Sequence, residues 1–207
     1  MSDKIDFKKE MKPLYAPTRS KGIHLVDVPV LRYLMVDGVG DPNSAIAYGQ
    51  AVETLYAVAY GLKFASRIEL ERDYVVPPLE GLWWADDLDD FIARRKHSWK
   101  WTMMIMVPEW IGPRMIDTAM AEVKRKKSPP ALDALRVELL QEGRVAQVLH
   151  IGPYDEEGAI LAHLHDDFLP AHGLRPTGKH HEIYLSDPRK SAPANLRTVL
   201  RQPVKQA

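Results

Sequence analysis

The chain has 207 residues, 45% hydrophobic and 27% charged, the composition of a globular protein with enough apolar material for one sizeable core or two small ones. Its 28 Lys and Arg balance 28 Asp and Glu, which excludes both the overall positive field of a general nucleic-acid binder and a strongly acidic DNA mimic. No cysteine occurs, so disulfides, thiol nucleophiles, iron–sulfur clusters and thiolate zinc sites are excluded together.

Residues 1–22 read as an N-terminal extension, charged over Met1 to Lys12 and too short for a helix-turn-helix domain. No apolar run approaches the ~18 residues of a membrane span, so neither a signal peptide nor a membrane partner is expected, and the expected compartment is cytoplasmic. Ile23 to Met35 is rich in β-formers and alternates loosely, until Asp37-Gly38-Val39-Gly40-Asp41-Pro42-Asn43 breaks the pattern: a strand and its turn. Asn43 or Ser44 is placed to cap a helix in which Val52, Leu55, Val58, Ala59 and Leu62 recur at helical spacing, ending near Ser66. Tyr74 to Trp84 reads as extended around Pro77-Pro78. The run Asp86-Asp87-Leu88-Asp89-Asp90 lacks the Gly and distal Glu of a calcium loop and reads as a solvated connection. Trp99 to Val107 is a strand with Trp99, Trp101, Met103 and Ile105 on one face.

Arg114 to Lys127 is an amphipathic helix with Ile116, Ala119, Met120 and Val123 inward, and the basic run Lys124-Arg125-Lys126-Lys127 suits its C-terminal dipole end. The first order then repeats. Arg144 to His150 is a strand, Ile151-Gly152-Pro153-Tyr154-Asp155 a breaker, about Glu156 to His172 a helix stopped by Gly173, and His180 to Ser186 and Thr198 to Val204 are strands. The fold class is therefore α+β, with residues 23–207 forming one domain of two β-α-β-β halves, about 23–107 and 144–204, joined by a helical connection over 108–143. Gly38 is matched with Gly152, and Glu80 with Glu182.

Eight histidines invite a metal, but the spacings reject one. His163 and His165 lie about 200° apart around a helix, and His180 and His181 point to opposite faces of a strand, so neither pair chelates one ion. No H-E-x-x-H occurs, Gly38 and Gly40 are too few for a phosphate loop, and no serine sits in G-x-S-x-G. No metal and no cofactor are expected.

Carboxylates beside aromatics remain. The period of two puts Glu182 and Tyr184 on one strand face and His181, Ile183 and Leu185 on the other. If the helices pack on the Ile183 face, Glu182 and Tyr184 look the opposite way. The same rule puts Glu80 with Leu82 and Trp84, leaving Trp83 on the reverse unless a bulge at Gly81 turns it. Tyr56 and Tyr60, at i and i+4, form an aromatic step that either caps the core or faces a ligand. Trp110 belongs to a tryptophan cluster over residues 83–110 that is open to the same two readings. A glutamate among apolar neighbours is paired or functional, because desolvating it costs several kcal/mol.

The segments His150-Ile151-Gly152-Pro153-Tyr154-Asp155-Glu156-Glu157, His181-Glu182-Ile183-Tyr184-Leu185-Ser186-Asp187-Pro188-Arg189-Lys190 and Pro78-Leu79-Glu80-Gly81-Leu82-Trp83 resemble the GyrI-like small-molecule-binding family, in particular its stand-alone members. The likeness runs from about Ile23 to Pro203. It implies pseudo-twofold β-α-β-β units whose antiparallel sheets line a central ligand groove with helices behind, and Glu182 as the acidic centre of that groove. It implies a flat aromatic or hydrophobic small-molecule ligand and no direct contact with nucleic acid. Fused relatives act as ligand sensors of multidrug-responsive regulators; some stand-alone relatives hydrolyse cyclopropanoid genotoxins. On the hydrolase reading Glu182 activates a water and Tyr184 assists. Glu80, Trp83, Trp84, Tyr56, Tyr60, Trp110, Tyr154 and Met104 would bind the ligand, with Tyr184, Tyr154, Tyr56 or Tyr60 donating to a developing phenolate. On the alternative reading the same residues make a non-catalytic sensor or sequestering module.

Overall fold

The computed structural model describes residues 4–87 and 95–207, so Leu88, Asp89 and Asp90 of the acidic run lie outside the described residues. In chain order the strands and main helices are β1 (His24–Val28), β2 (Leu31–Val39), α1 (Ile46–Glu69), β3 (Leu79–Trp84), β4 (Lys100–Val107), α2 (Pro113–Lys126), β5 (Arg136–Leu140), β6 (Gly143–Ile151), α3 (Gly158–Ala162), α4 (Leu169–Ala171), β7 (Leu174–Pro176), β8 (His180–Tyr184) and β9 (Arg197–Gln206). Among the described residues no helix is long and apolar enough to cross a membrane. The chain divides into two compact units, the first holding the residues up to Glu10 and Leu31–Leu140, the second Met11–Val30 and Gln141–Ala207.

In the first unit the strand order is β3-β4-β2-β5, with antiparallel ladders. Register places Leu34, Val36 and Gly38 of β2 beside Ile105, Met103 and Trp101 of β4, and those beside Leu79, Gly81 and Trp83 of β3, all on one face. Helix α1 lies against this face, burying Ala51, Leu55, Val58, Ala59 and Leu62. Each large apolar side chain removed from water there is worth about 1.5–3 kcal/mol. The helix starts later than the sequence suggests. Asp41 builds the turn, its Oδ1 accepting from the Asn43 amide at 2.9 Å, and the N-cap is Ala45, without a side-chain cap. Helix α2 crosses α1 at Gly61, where an added Cβ would sit 3.7 Å from both Ala119 and Val123. Within 108–143 the chain holds β5 as well as this helix, a half-exposed edge strand paired with β2.

A glycine is needed at Gly38 because the indole of its cross-strand partner Trp101 lies over it. A Cβ there would be 2.1 Å from Trp101 Cη2, and Trp101 is fully buried with no room to retreat.

In the second unit the order is β1-β6-β9-β8, with β7 added on β9. Ala146, Val148, Leu200 and Val204 on one sheet face pack with Leu164, Leu169 and Leu174. Between α3 and α4 the backbone is π-helical over His163–Phe168. Pro170 lacks an amide and its ring would crowd the carbonyl four residues back, so the widened turn ahead of it removes the conflict. The other sheet face carries a buried polar cluster. Arg201, 1% exposed, donates to Glu142 Oε2 at 3.0 Å, to Gln147 Oε1 at 3.2 Å and to the Leu14 carbonyl at 3.1 Å, while the His181 ring lies 2.9 Å from Glu142 Oε1.

The two units share one topology: β3-β4-β2-β5 corresponds to β8-β9-β6-β1. The strand preceding β2 completes the sheet of the second unit, and the strand preceding β6 that of the first. The turn after β2 has its left-handed glycine at Gly40 (φ 105°) and the turn after β6 at Gly152 (φ 146°), so Gly40 rather than Gly38 is the counterpart of Gly152. Following the registers outward from Val36 and Val148 through Met103 and Leu200 pairs Gly81 with Glu182 and Trp83 with Tyr184. The expected match of Glu80 with Glu182 is therefore off by one residue, which in a strand means the opposite face.

Burial by itself would raise the Glu142 carboxyl, but the His181 ring and Arg201 outweigh it and bring it down from 4.5 to about 2. Its folded value lies below its unfolded one, so this contribution is complete above about pH 4.5 and is lost as pH falls toward 2. Glu142→Gln, which strands the buried guanidinium, is expected to cost about 3–5 kcal/mol in urea unfolding at neutral pH and to flatten the acid limb. Gly38→Ala is expected to cost about 1–3 kcal/mol by forcing Trp101 from its place, read from the same unfolding midpoint.

Candidate functional site

The sequence leaves open which way Glu182 faces, and the fold answers against the simplest expectation. Glu182 is the register partner of Leu200, and Leu200 belongs to the face on which the helical segment packs. The helices therefore cover the Glu182 and Tyr184 face, and Ile183 lies on the reverse with Val199 and Arg201. The apolar side chains that hold the helix, Ala146, Val148 and Leu200, come from β6 and β9, and β8, next to β9, presents an acid on the same face.

Glu182 is largely enclosed, its side chain 14% exposed. The Tyr184 hydroxyl donates to Glu182 Oε2 at 2.7 Å, and His180 Nε2 lies 3.5 Å from Oε1. Tyr154 meets Tyr184 edge to face, ring centroids 5.7 Å apart. The turn that delivers Tyr154 needs its glycine. At φ 146° an L side chain on Gly152 is strained, and its Cβ would press on His150 Nε2 at 3.3 Å. Gly152 also donates its amide to the Leu196 carbonyl at 3.0 Å, and Tyr154–Glu156 follows as one 3-10 turn. Burial first, then the charges of Glu157, Glu182 and Asp187, push the Tyr154 hydroxyl up to about 12. It stays protonated, a hydrogen-bond donor, at any physiological pH. Asp187 is itself held down to about 2 by the Arg189 guanidinium and amide that bind it.

The first unit places the remaining candidates in separate groups. Glu80 and Met104 are fully buried register partners on the face away from α1, where the Tyr33 hydroxyl donates to Glu80 Oε2 at 3.2 Å. Trp84 shares that face and is partly exposed; Trp83 is on the α1 face, 4% exposed, and no bulge intervenes in β3. Trp83 stacks with Tyr48 of α1 (6.2 Å) and meets Trp99 edge to face (5.8 Å), and its indole folds over Gly81. Trp110 is elsewhere. It donates to Ser66 Oγ at 3.1 Å and packs with Phe7 and Tyr74; Ser66 is about 27 Å along α1 from Tyr48 at 1.5 Å per residue. Tyr56 and Tyr60 form a ladder with Phe64 (6.3 and 6.4 Å) along a ridge of α1, Tyr60 being 47% exposed.

Three neighbours of these groups escape a motif-based reading. Tyr48 and Glu157 belong to the inward stripes of their helices, Tyr48 with Ala51, Leu55 and Leu62, and Glu157, 5% exposed, with Leu161, Leu164 and Phe168. Helical periodicity carried one turn toward the N-terminus from Val52 finds Tyr48, and Glu157 falls within the helix expected from about Glu156. His180 shares parity with Glu182, and its position two residues earlier was the available signal. Among the described residues no cluster of three or more His, Cys, Asp or Glu side chains is arranged to hold a metal ion.

Proteins of known structure are similar to this chain along most of its length. An uncharacterized conserved protein from Listeria innocua is 40% identical, with 98% of this chain and 100% of that one covered and a TM-score of 0.87. A protein from the same organism described as a hydrolase is 38% identical over 98% of this chain and 100% of that one, TM-score 0.84. The C-terminal domain of EcmrR, 11% identical, covers 89% of this chain and 98% of that domain at a TM-score of 0.56, a likeness of fold alone. A search of curated proteins finds no match. The GyrI-like small molecule binding domain is matched over residues 22–205, the same span that holds both strand-helix-strand-strand repeats and every group around Glu182. With nine-tenths of its length accounted for in this way, the chain belongs to the GyrI-like small-molecule-binding family.

Proposed function

We propose that the protein binds flat aromatic or hydrophobic small molecules and hydrolyses cyclopropanoid compounds, with Glu182 as general base. The observation that carries this reading is an enclosed carboxylate, Glu182, held by the Tyr184 hydroxyl beside the edge-to-face tyrosine pair. A carboxylate so placed can take a proton from water, and a ring surface next to it can hold a planar ligand. Support comes from the family, whose domain binds small molecules, and from the 38%-identical relative described as a hydrolase.

In the proposed step a water oxygen attacks the cyclopropane methylene as Glu182 accepts the water's proton. The strained carbon–carbon bond breaks, and its electron pair moves into the ring, converting the dienone to a phenolate. Transfer of the proton to that oxygen or to solvent completes the net addition of water. Tyr184 donates to Glu182, so it orients the base, whereas Tyr154, protonated up to about pH 12, is the donor suited to the developing phenolate. Ring strain and aromatisation already favour opening, so one positioned water suffices.

Glu182→Gln keeps the shape and removes the base. It is expected to retain ligand affinity, read by tryptophan fluorescence quenching, and to lose about 10²- to 10⁴-fold in kcat with little change in KM. Mass spectrometry in ¹⁸O-water follows the incorporated oxygen. Wild-type protein that binds such compounds with no gain in mass would refute the hydrolase and leave the non-catalytic binding module.

A further inference from the structure

Four histidines form two sequence pairs, His163 with His165 and His180 with His181, whose members point apart. The fold gives the outer member of each pair a separate task. His163 is exposed and bonds Asp167 Oδ2 at 2.9 Å one turn on, and His181 is buried on the reverse sheet face with Glu142. The two that remain are His165, on the π-helical stretch, and His180, on β8; burial followed by the charge of His180 lowers the His165 pKa. Asp166 opposes that shift from the helix side, while Glu182 and Tyr184 are the titratable groups His180 meets on its own strand.

We propose that His180 is a positioning residue for Glu182, standing against Oε1 while Tyr184 holds Oε2. The assignment rests on Glu182 being the group that acts on the ligand. A carboxylate held by one hydrogen bond still turns about its last side-chain torsion. A second contact on the other oxygen fixes the plane, and general-base catalysis depends on a fixed lone-pair direction. His180 is suited to this because its side chain is 5% exposed and its Nε2 stands 3.5 Å from Oε1, on the face and at the two-residue spacing that a strand dictates.

The test compares His180→Gln, which keeps a nitrogen donor near the place of Nε2, with His180→Leu, which keeps bulk alone. His180→Leu is expected to lower kcat on a cyclopropanoid substrate by about tenfold or more with KM within about twofold, and His180→Gln to restore most of the rate. A second readout does not need turnover. The ¹³C signal of the Glu182 side-chain carboxylate at pH 7.5, assigned by its loss in Glu182→Gln, is expected to move in His180→Leu and to keep its wild-type position in His180→Gln. An unmoved carboxylate signal in a folded His180→Leu overturns the inference, as does a His180→Gln variant that melts like wild type yet is as slow as His180→Leu. If the wild type shows no turnover while the carboxylate signal behaves as expected, the hydrolase reading fails and the positioning contact stands. Turnover with an indifferent signal removes the positioning contact alone.

Discussion

Arg201 keeps its guanidinium inside the protein, and much of the second unit is arranged around that fact. An unpaired charge there would cost several kcal/mol, so each side of the group must find an acceptor. Glu142 arrives from the short link between β5 and β6, Gln147 from the centre of β6, and the carbonyl of Leu14 from the N-terminal segment. These partners exist on one sheet face only. Sliding β9 by one residue would drive Arg201 into the apolar face among Leu164 and Leu169 and pull Leu200 out of it, so the register is locked. Leu200 is then committed to the helix side, and with it Glu182, its partner on β8. The orientation of the acidic group is thus set by a charge on the other side of the sheet.

The comparison of the repeats shows how one topology carries two different faces. Where the second unit has Glu182 and Tyr184, the first has Gly81 and Trp83. Where the second has Thr198 across from His150, the first has Trp101 lying over Gly38. The first unit fills its helix-side face with indoles, and its two glycines are the spaces those rings occupy. The second retains shorter polar groups at the matching places. An aromatic surface and an acid–tyrosine pair are thereby built on the same frame by exchange at equivalent positions, while the strand order and the left-handed glycine after β2 and β6 stay in common. Trp110 is fastened elsewhere in the first unit, to Ser66, Phe7 and Tyr74.

Much of the frame is determined by sequence alone. Apolar spacing of 3.6 in Leu55, Val58 and Leu62, alternation in Trp99 to Val107, the breakers at Gly38–Asn43 and Gly152–Asp155 and their repetition are local signals, and they suffice for an α+β fold of duplicated units. Parity also suffices to put Glu182 with Tyr184 and Glu80 with Trp84, because side chains two apart on a strand share a face whatever surrounds them. What parity cannot supply is which face the helix covers, and that was decided by tertiary structure: both faces of β9 are buried, one by leucine and valine and the other by a paired arginine, so hydrophobicity along the strand does not distinguish them. The match of Glu80 to Glu182 failed for the same reason, since two similar sequence strings align equally well one residue apart while hydrogen-bond registers do not. The pairing of β1 with β6 and of β5 with β2 is likewise a product of long-range contacts, in which partners more than a hundred residues apart, such as His24 and Gln147, compete with neighbours and win.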